Sequence, residues 1–200
     1  MGPNAKKLIE FVKGCGAIAA YADILQAGFH KNTLISLVDK GDIEKMGRAL
    51  YRLPNAPALS SPDLVTASLQ VSRGVVCLLS ALAFHEATDE IPGYVDLAIP
   101  RGTHANKIDY PPVRYYRFSP EAWKVGIEEH KTDGHVVRIY SLAKTVADCF
   151  KFRNKIGAPI ARGALKVAVM EKRVSPKEIM YFAKICRVAN IIKPILETVL

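Results

Sequence analysis

Residues 16–53 read GAIAAYADILQAGFHKNTLISLVDKGDIEKMGRALYRL, and this stretch decides the fold of the N-terminal part of the chain. Its first segment, Tyr21 to Gln26, is followed by Gly28, which signals a helix C-terminus and a tight turn. After the turn, Leu34 and Leu37 recur at helical spacing, which indicates one buried helix face. The sequence therefore predicts two short helices joined through a glycine turn.

A basic hairpin is predicted after the second helix. Residues 43–45 and 49–53 have strand character, and Met46-Gly47 stands between them as a turn. The order helix, glycine turn, helix, basic hairpin is typical of a winged helix-turn-helix, in which the second helix enters the DNA major groove and the hairpin follows the phosphate backbone. The alternative is a small helical domain whose cations are merely solvated. The predicted DNA-binding residues are Lys31, Asn32, Thr33, Ser36, Lys40, Lys45, Arg48 and Arg52.

The composition is typical of a soluble globular protein. Half of the 200 residues are hydrophobic, no apolar run is long enough to cross a bilayer, and MGPNAKK precedes no hydrophobic signal core. We therefore expect a cytoplasmic protein without membrane association. The cysteines are widely scattered, with no histidine at metal-ligand spacing, so we predict buried free thiols, no metal site and no cofactor. They are Cys15, Cys77, Cys149 and Cys186.

The net charge of +9 is concentrated near the C-terminus, where residues 141–200 hold 12 Lys and Arg against 4 Asp and Glu. This excess predicts a second basic surface for DNA, RNA or an acidic partner, although a solvated face explains the same pattern. Asp148 lies in a mostly apolar helix, where a structural ion pair with Lys144, Lys151 or Arg153 is the simplest interpretation. The candidate basic residues are Lys144, Lys151, Arg153, Lys155, Arg162 and Lys166.

Three prolines within residues 54–62 interrupt all periodicity and predict a linker. We assign residues 1–54 to the winged helix-turn-helix, 55–61 to the linker, and 62–200 to a mixed α and β domain that ends in a helical segment. The predicted fold class is α+β. In the second domain we predict helices over 62–70, capped by Ser61, and over 75–84. Strands are predicted over 94–100 and 113–118, and a hairpin joins 125–130 to 135–140 before the helices that begin at Ser141.

Two segments carry a resemblance to a known family. MGRALYRLP, residues 46–54, resembles the Arg-Gly-[Val/Leu]-Tyr-Arg signature of the AbiEi family of antitoxins and transcriptional regulators from type IV toxin-antitoxin systems. YSLAKTVADCF, residues 140–150, together with RNKIG, residues 153–157, resembles the downstream helix motif of that family. Ala49 stands where the family usually has glycine, so we expect a different turn or stiffness in the hairpin.

The resemblance extends over essentially the whole chain and implies a transcriptional repressor of its own operon. It also implies an antitoxin, active in abortive infection and phage defence, that counteracts a nucleotidyltransferase-like toxin of the AbiEii type. In such systems the antitoxin and the toxin do not form a stable complex. We expect operator DNA with inverted repeats, because two bound copies would read two half-sites.

An enzymatic alternative rests on carboxylates. Asp96 on one strand, with Glu129 and Lys131 on a later one, forms the D…ExK pattern with which nucleases hold Mg²⁺ and activate water. Such short patterns often arise by chance. Because no Ser-His-Asp order and no phosphate-binding glycine loop is present either, we expect no catalytic activity.

Overall fold

The computed structural model describes residues 2–47, 49–105, 107–172 and 174–199. Helices and strands alternate in a mixed α+β arrangement. The elements are α1 (Pro3–Gly14), β1 (Ile18–Ala20), α2 (Tyr21–Gln26), α3 (Lys31–Asp39), β2 (Glu44–Lys45), β3 (Leu50–Arg52), α4 (Pro62–Gln70), β4 (Val75–Val76), α5 (Leu78–Phe84), β5 (Val95–Pro100), β6 (Val113–Phe118), α6 (Pro120–Lys124), β7 (Ile127–Thr132), β8 (His135–Tyr140), α7 (Leu142–Lys151), α8 (Arg153–Ile156), α9 (Ala158–Met170), α10 (Pro176–Ile185) and α11 (Ala189–Val199).

The chain divides into two compact units. The first contains the described residues of 1–72, 106–111 and 131–137, and the second contains those of 73–105, 112–130 and 138–200. The first unit thus extends beyond residue 54, where the sequence predicted a domain boundary. Hydrogen bonds account for this difference, because the backbone N–H of Ser60 donates to Asp133 at 2.9 Å and the hydroxyl of Tyr110 donates to Asp63 at 2.6 Å.

The core of the first unit is formed by α1, α2 and α3. Leu8 of α1, Ile24 of α2, and Leu34 and Leu37 of α3 are almost completely buried in one cluster. The two predicted helices, α2 and α3, are confirmed here, because each turns its buried apolar residues toward this cluster.

A three-stranded antiparallel sheet in the order β1-β3-β2 adjoins these helices. The predicted hairpin is confirmed in shorter form, with Glu44 opposite Arg52 and Lys45 opposite Tyr51. Strand β1 was not predicted, because Ile18-Ala19-Ala20 is fully buried and shows no alternation. It pairs with β3 from the other side, so that the hairpin belongs to a sheet rather than standing alone.

A five-stranded sheet has the order β6-β5-β4-β8-β7, and most of its residues belong to the second unit. Strand β5 runs parallel to β6 and antiparallel to β4, and β4 runs parallel to β8. The predicted helix over 75–84 is wrong at its start, because Val75 and Val76 form the central strand β4 and the helix begins only at Leu78. Two consecutive buried valines fit a central strand better than a helix.

The remaining predictions differ from the structure in small ways. Ser61 precedes α4 but makes no side-chain cap bond, whereas Ser141 and Ser175 accept from the third residue after each of them and cap α7 and α10. The β7–β8 turn is tight, because Asp133 and Gly134 both have positive φ. Because the turn needs only these two residues, β7 continues to Thr132, two residues beyond its predicted end. It also begins two residues later than predicted, at Ile127. Helices α6 and α8 are too short for a periodic signal, and the sequence did not predict them.

Candidate nucleic-acid interface

Helix α3 exposes one polar face and buries the other. Leu34 and Leu37 anchor it in the core, while Lys31, Asn32 and Ser36 are exposed. The two faces arise because side chains three or four residues apart lie on the same side of a helix, and the apolar residues of α3 recur at this spacing. No hydrogen bond or ion pair to another described residue occupies the side chains of Lys31 or Asn32. These groups are therefore available to a ligand.

The same face carries an apolar residue that the sequence did not single out. Ile35 is 44% exposed, next to Asn32 and Ser36. An aliphatic side chain among amide and hydroxyl groups suits a base edge, where the thymine methyl group offers an apolar contact. The sequence offered one signal for its exposure: Ile35 directly follows Leu34, so the two side chains cannot both lie on the buried face of the helix.

The start of α1 lies beside this face of α3. A shallow, open groove lies between the two helices, lined by residues 2–5 on one side and by Asn32, Thr33, Ser36 and Lys40 on the other. Helix α1 has twelve residues, and its first backbone N–H groups lack partners within the helix. Pro3 has no N–H, and the N–H groups of Ala5 and Lys6 donate to the carbonyl of Gly2, so the ammonium of Lys40 is the cation that this groove offers to a phosphate oxygen.

The β2–β3 hairpin presents cations of two kinds. Lys45 is exposed, whereas Arg52 is half-buried and its Nε donates to the carboxylate of Glu44 at 2.7 Å across the strand pair. Glu44 therefore holds the guanidinium of Arg52 along the sheet and adds a negative charge to the same surface. Arg48, the third predicted hairpin contact, lies outside the described residues.

Backbone hydrogen bonds join the hairpin to the first residue of α2 and to the segment that precedes β1. The N–H of Tyr21, the first residue of α2, donates to the carbonyl of Ala49 at 2.8 Å, and the N–H of Leu53 donates to that of Ala17 at 3.0 Å. Ala49 has a φ of 61° in the left-handed region that favours glycine. Ala49 therefore holds a backbone conformation that is strained for alanine.

The predicted second basic surface is only partly formed. Lys144 is fully buried and is not a surface residue, because Asp148 one helical turn away accepts from its ammonium at 2.7 Å. Lys151 and Lys155 are exposed, and Arg153 donates to the carbonyl of Phe150 at 2.8 Å. On α9, two exposed cations four residues apart share a face, namely Arg162 and Lys166.

The three residues of the nuclease alternative lie on strands that are not neighbours. Asp96 belongs to β5 and Glu129 and Lys131 belong to β7, and β4 and β8 lie between these strands in the sheet. Asp96 is almost completely buried, and burial raises its pKa to about 6 in spite of the nearby Arg114. Within the described residues, no group of three or more His, Cys, Asp or Glu is arranged to hold a metal ion.

The described part of the chain contains no helix that is both long and apolar enough to span a bilayer. The chain matches no protein-family model and no curated protein. A solved structure, however, has a related fold.

It is the RV2827C protein from Mycobacterium tuberculosis. The similarity covers 96% of this chain and 81% of the mycobacterial chain, with a TM-score of 0.57 and 12% sequence identity. At this identity the likeness shows a shared fold, which extends over both units of the present chain.

Proposed function

We propose that the protein binds double-stranded DNA through α3 and the β2–β3 hairpin, as a winged helix-turn-helix does. The observation that carries the proposal is the exposed face of α3, which combines Lys31, Asn32, Ile35 and Ser36. Amide and ammonium groups bond to base edges, and an aliphatic group contacts thymine, so one helix face offers every kind of contact that major-groove reading uses.

The element order supports the same proposal. A third helix behind the pair and a three-stranded sheet ending in the hairpin give the order α1-β1-α2-α3-β2-β3. In this arrangement the second helix of the pair lies in the major groove, and the hairpin beside it contacts the backbone. Lys45 and Arg52 are then the described hairpin cations that neutralise phosphates.

We further propose that this DNA binding represses the protein's own operon and that the protein is an antitoxin of the AbiEi type. This part rests on the resemblance of residues 46–54 and 140–157 to that family. The operator would carry inverted repeats read by two copies. The toxin would be a nucleotidyltransferase-like protein of the AbiEii type, countered without a stable complex, and the protein itself would catalyse no reaction.

A binding titration tests the DNA proposal. We would measure fluorescence anisotropy of the native upstream DNA and of a scrambled duplex at several salt concentrations, with the wild type and with Asn32→Ala. We expect the wild type to prefer the upstream DNA by at least about tenfold, and Asn32→Ala to lose about 1–3 kcal/mol of that preference. The control is Lys177→Ala, which replaces an exposed cation on α10. It should change neither the affinity for the upstream DNA nor the preference over the scrambled duplex. Equal affinity of the wild type for both duplexes would contradict sequence-specific binding.

Co-expression tests the antitoxin proposal separately. Cells that express the neighbouring toxin should grow when the wild-type protein is supplied from an independent promoter. Asn32→Ala should lose repression of the native promoter and retain rescue, because the substitution removes a base contact and leaves the second unit unchanged. If the wild type fails to rescue growth while repression is intact, the antitoxin part is wrong and the repressor part stands.

A further inference from the structure

A cavity of about 470 Å³ opens in the second unit, away from the elements of the proposed DNA interface in sequence. Its wall is formed by the ends of β5 and β6, by α6, and by the C-terminal ends of α7 and α10. The residues that matter for its chemistry are Arg101, Arg117, Lys151, Arg187, Phe152 and Ile185. The volume lies within the range of small-molecule sites.

Four of these residues are exposed cations: Arg101, Arg117, Lys151 and Arg187. Among the described residues, none of them has an acidic partner within ion-pair distance. Glu121 is the acidic residue on the rim. Asp148 also borders the cavity, but both of its oxygens accept from Lys144. The cavity therefore carries an excess of about three positive charges, and such a cluster in a concave wall attracts a polyanion.

The parallel register of β5 and β6 explains why two of the arginines meet here. Pro100 pairs with Phe118, so Arg101 leaves the end of β5 beside the end of β6, where Arg117 precedes Phe118. The N–H of Arg101 donates to the carbonyl of Phe118 at 2.9 Å and fixes this arrangement. Two guanidinium groups on adjacent strand ends are suited to bidentate contacts with phosphate oxygens.

Arg187 reaches the cavity from a position that normally favours glycine. It follows Cys186 at the end of α10, and its φ of 60° lies in the left-handed region. Glycine is the preferred residue at this place after a helix. A non-glycine residue held in such a conformation is a recognised feature of functional sites, and here the strain places a guanidinium at the cavity wall.

An apolar wall completes the cavity. The half-buried ring of Phe152 lies beside that of Phe118, with 5.2 Å between the centroids, and Ile185 adds an aliphatic group. Fixed apolar surface next to a cationic cluster accommodates a planar ring joined to a phosphate chain. A simple inorganic anion would leave this surface without a partner.

We propose that the cavity binds a nucleoside di- or triphosphate, with Arg101, Arg117, Lys151 and Arg187 on the phosphate chain and Phe152 and Ile185 against the base. A charge of about −3 to −4 on such a ligand matches the cationic excess better than a monophosphate does. The concave volume of about 470 Å³ suits one nucleotide, whereas a nucleic-acid backbone needs a groove that continues along the surface. The proposal does not depend on DNA binding by the first unit.

Calorimetric titration of the full chain tests the proposal with ATP, AMP, adenosine and inorganic tripolyphosphate. We expect ATP to bind at least tenfold more tightly than AMP and more tightly than tripolyphosphate, and we expect no measurable binding of adenosine. Tripolyphosphate as tight as ATP would overturn the role of the apolar wall. Absence of ATP binding at millimolar concentration would overturn the whole proposal.

Arg187→Gly gives the sharpest variant, because glycine suits the backbone at this position. Its thermal midpoint should equal or exceed that of the wild type, while its affinity for ATP should fall at least tenfold. Arg117→Gln should lose a similar factor, and Arg162→Gln on α9, outside the cavity, should lose none. If all three variants lost the same factor in affinity for ATP, the net charge of the protein and not the cavity would govern binding, and the proposal would be overturned. Displacement of bound ATP by a short DNA duplex would likewise overturn the assignment to a free nucleotide.

Discussion

Lys144 and Asp148 form an ion pair that is completely removed from solvent. They lie one turn apart on α7, and the Nζ of Lys144 is 2.7 Å from Oδ1 of Asp148, which also accepts from the thiol of Cys186 at 3.2 Å. The rings of Phe118 and Tyr140 lie 4.9 and 4.1 Å from the same ammonium. Three of these contacts compensate the buried cation, and the thiol of Cys186 stabilises its equally enclosed carboxylate partner.

Lys144→Met should destabilise the second unit by about 3–5 kcal/mol, because it leaves the Asp148 carboxylate buried without its cation. The double variant Lys144→Met/Asp148→Leu should recover most of that loss, since apolar residues of similar volume remove both desolvation penalties. Urea unfolding of the wild type, both single variants and the double variant measures the coupling. Additive losses in the double variant would show that the two side chains do not act as a pair.

Glu44→Gln should raise DNA affinity several-fold. The substitution removes a negative charge from the hairpin surface, and it replaces the ion pair of Glu44 with the Nε of Arg52, 2.7 Å long, by a weaker bond to a neutral amide oxygen. Because Glu44 offsets one positive charge at the proposed interface, the slope of log K against log salt should steepen by up to about 0.9 when its charge is removed. Arg52→Gln should shift the slope in the opposite direction. An unchanged slope in both variants would place the hairpin outside the DNA interface.

Ala49→Gly should stabilise the protein by about 0.5–1 kcal/mol, because the φ of 61° costs alanine more than glycine. Part of the gain is lost to the greater freedom of glycine in the unfolded chain. Thermal unfolding measures the difference, and Ala5→Gly in α1 provides the opposite control, since helical glycine destabilises. Loss of stability in Ala49→Gly would show that the left-handed conformation carries no strain.

The burial of Asp96 should make the free energy of unfolding depend on pH. Its folded-state pKa of about 6 exceeds the value of 3.8 for a free side chain, because burial disfavours the carboxylate. The folded protein therefore holds the proton between about pH 4 and pH 6, and the contribution to stability falls as the pH rises through this window. Near pH 7 the loss amounts to about 2–3 kcal/mol.

Asp96→Asn should remove that dependence and stabilise the protein at pH 7, while the wild type and the variant should converge near pH 4. Urea unfolding at pH 4, 5, 6 and 7 gives the comparison. A constant difference between the two proteins across these pH values would show that Asp96 titrates normally in the folded state.

Local signals in the sequence predicted much of the first unit. The helical spacing of Leu34 and Leu37 and the glycine after α2 were sufficient for α2 and α3, because each depends on neighbours within a turn. Strand β1 was missed because its only signal is its pairing with β3, about thirty residues later. For the same reason the sequence did not show that Val75 and Val76 stand between β5 and β8.

The candidate sites were predicted less completely than the fold. The sequence assigned Lys144 to a basic surface because lysine side chains are usually exposed. The structure shows it buried against Asp148. The members of the cationic cavity are separated by up to 86 positions, from Arg101 to Arg187. Only the register of β5 with β6 and the end of α10 bring them together, and neither is a local property of the sequence.

Three thiols of the second unit are buried in different elements. Cys77 lies between β4 and α5, Cys149 lies within α7, and Cys186 ends α10. Burial also raises the pKa of each of these thiols, so the three should react slowly with alkylating reagents in the native protein, unlike the partly exposed Cys15. Reaction at any one of them requires transient opening of the element that covers it. The chain thereby carries its own site-specific reporters of local unfolding, whose alkylation rates rank the stability of these elements without any introduced label.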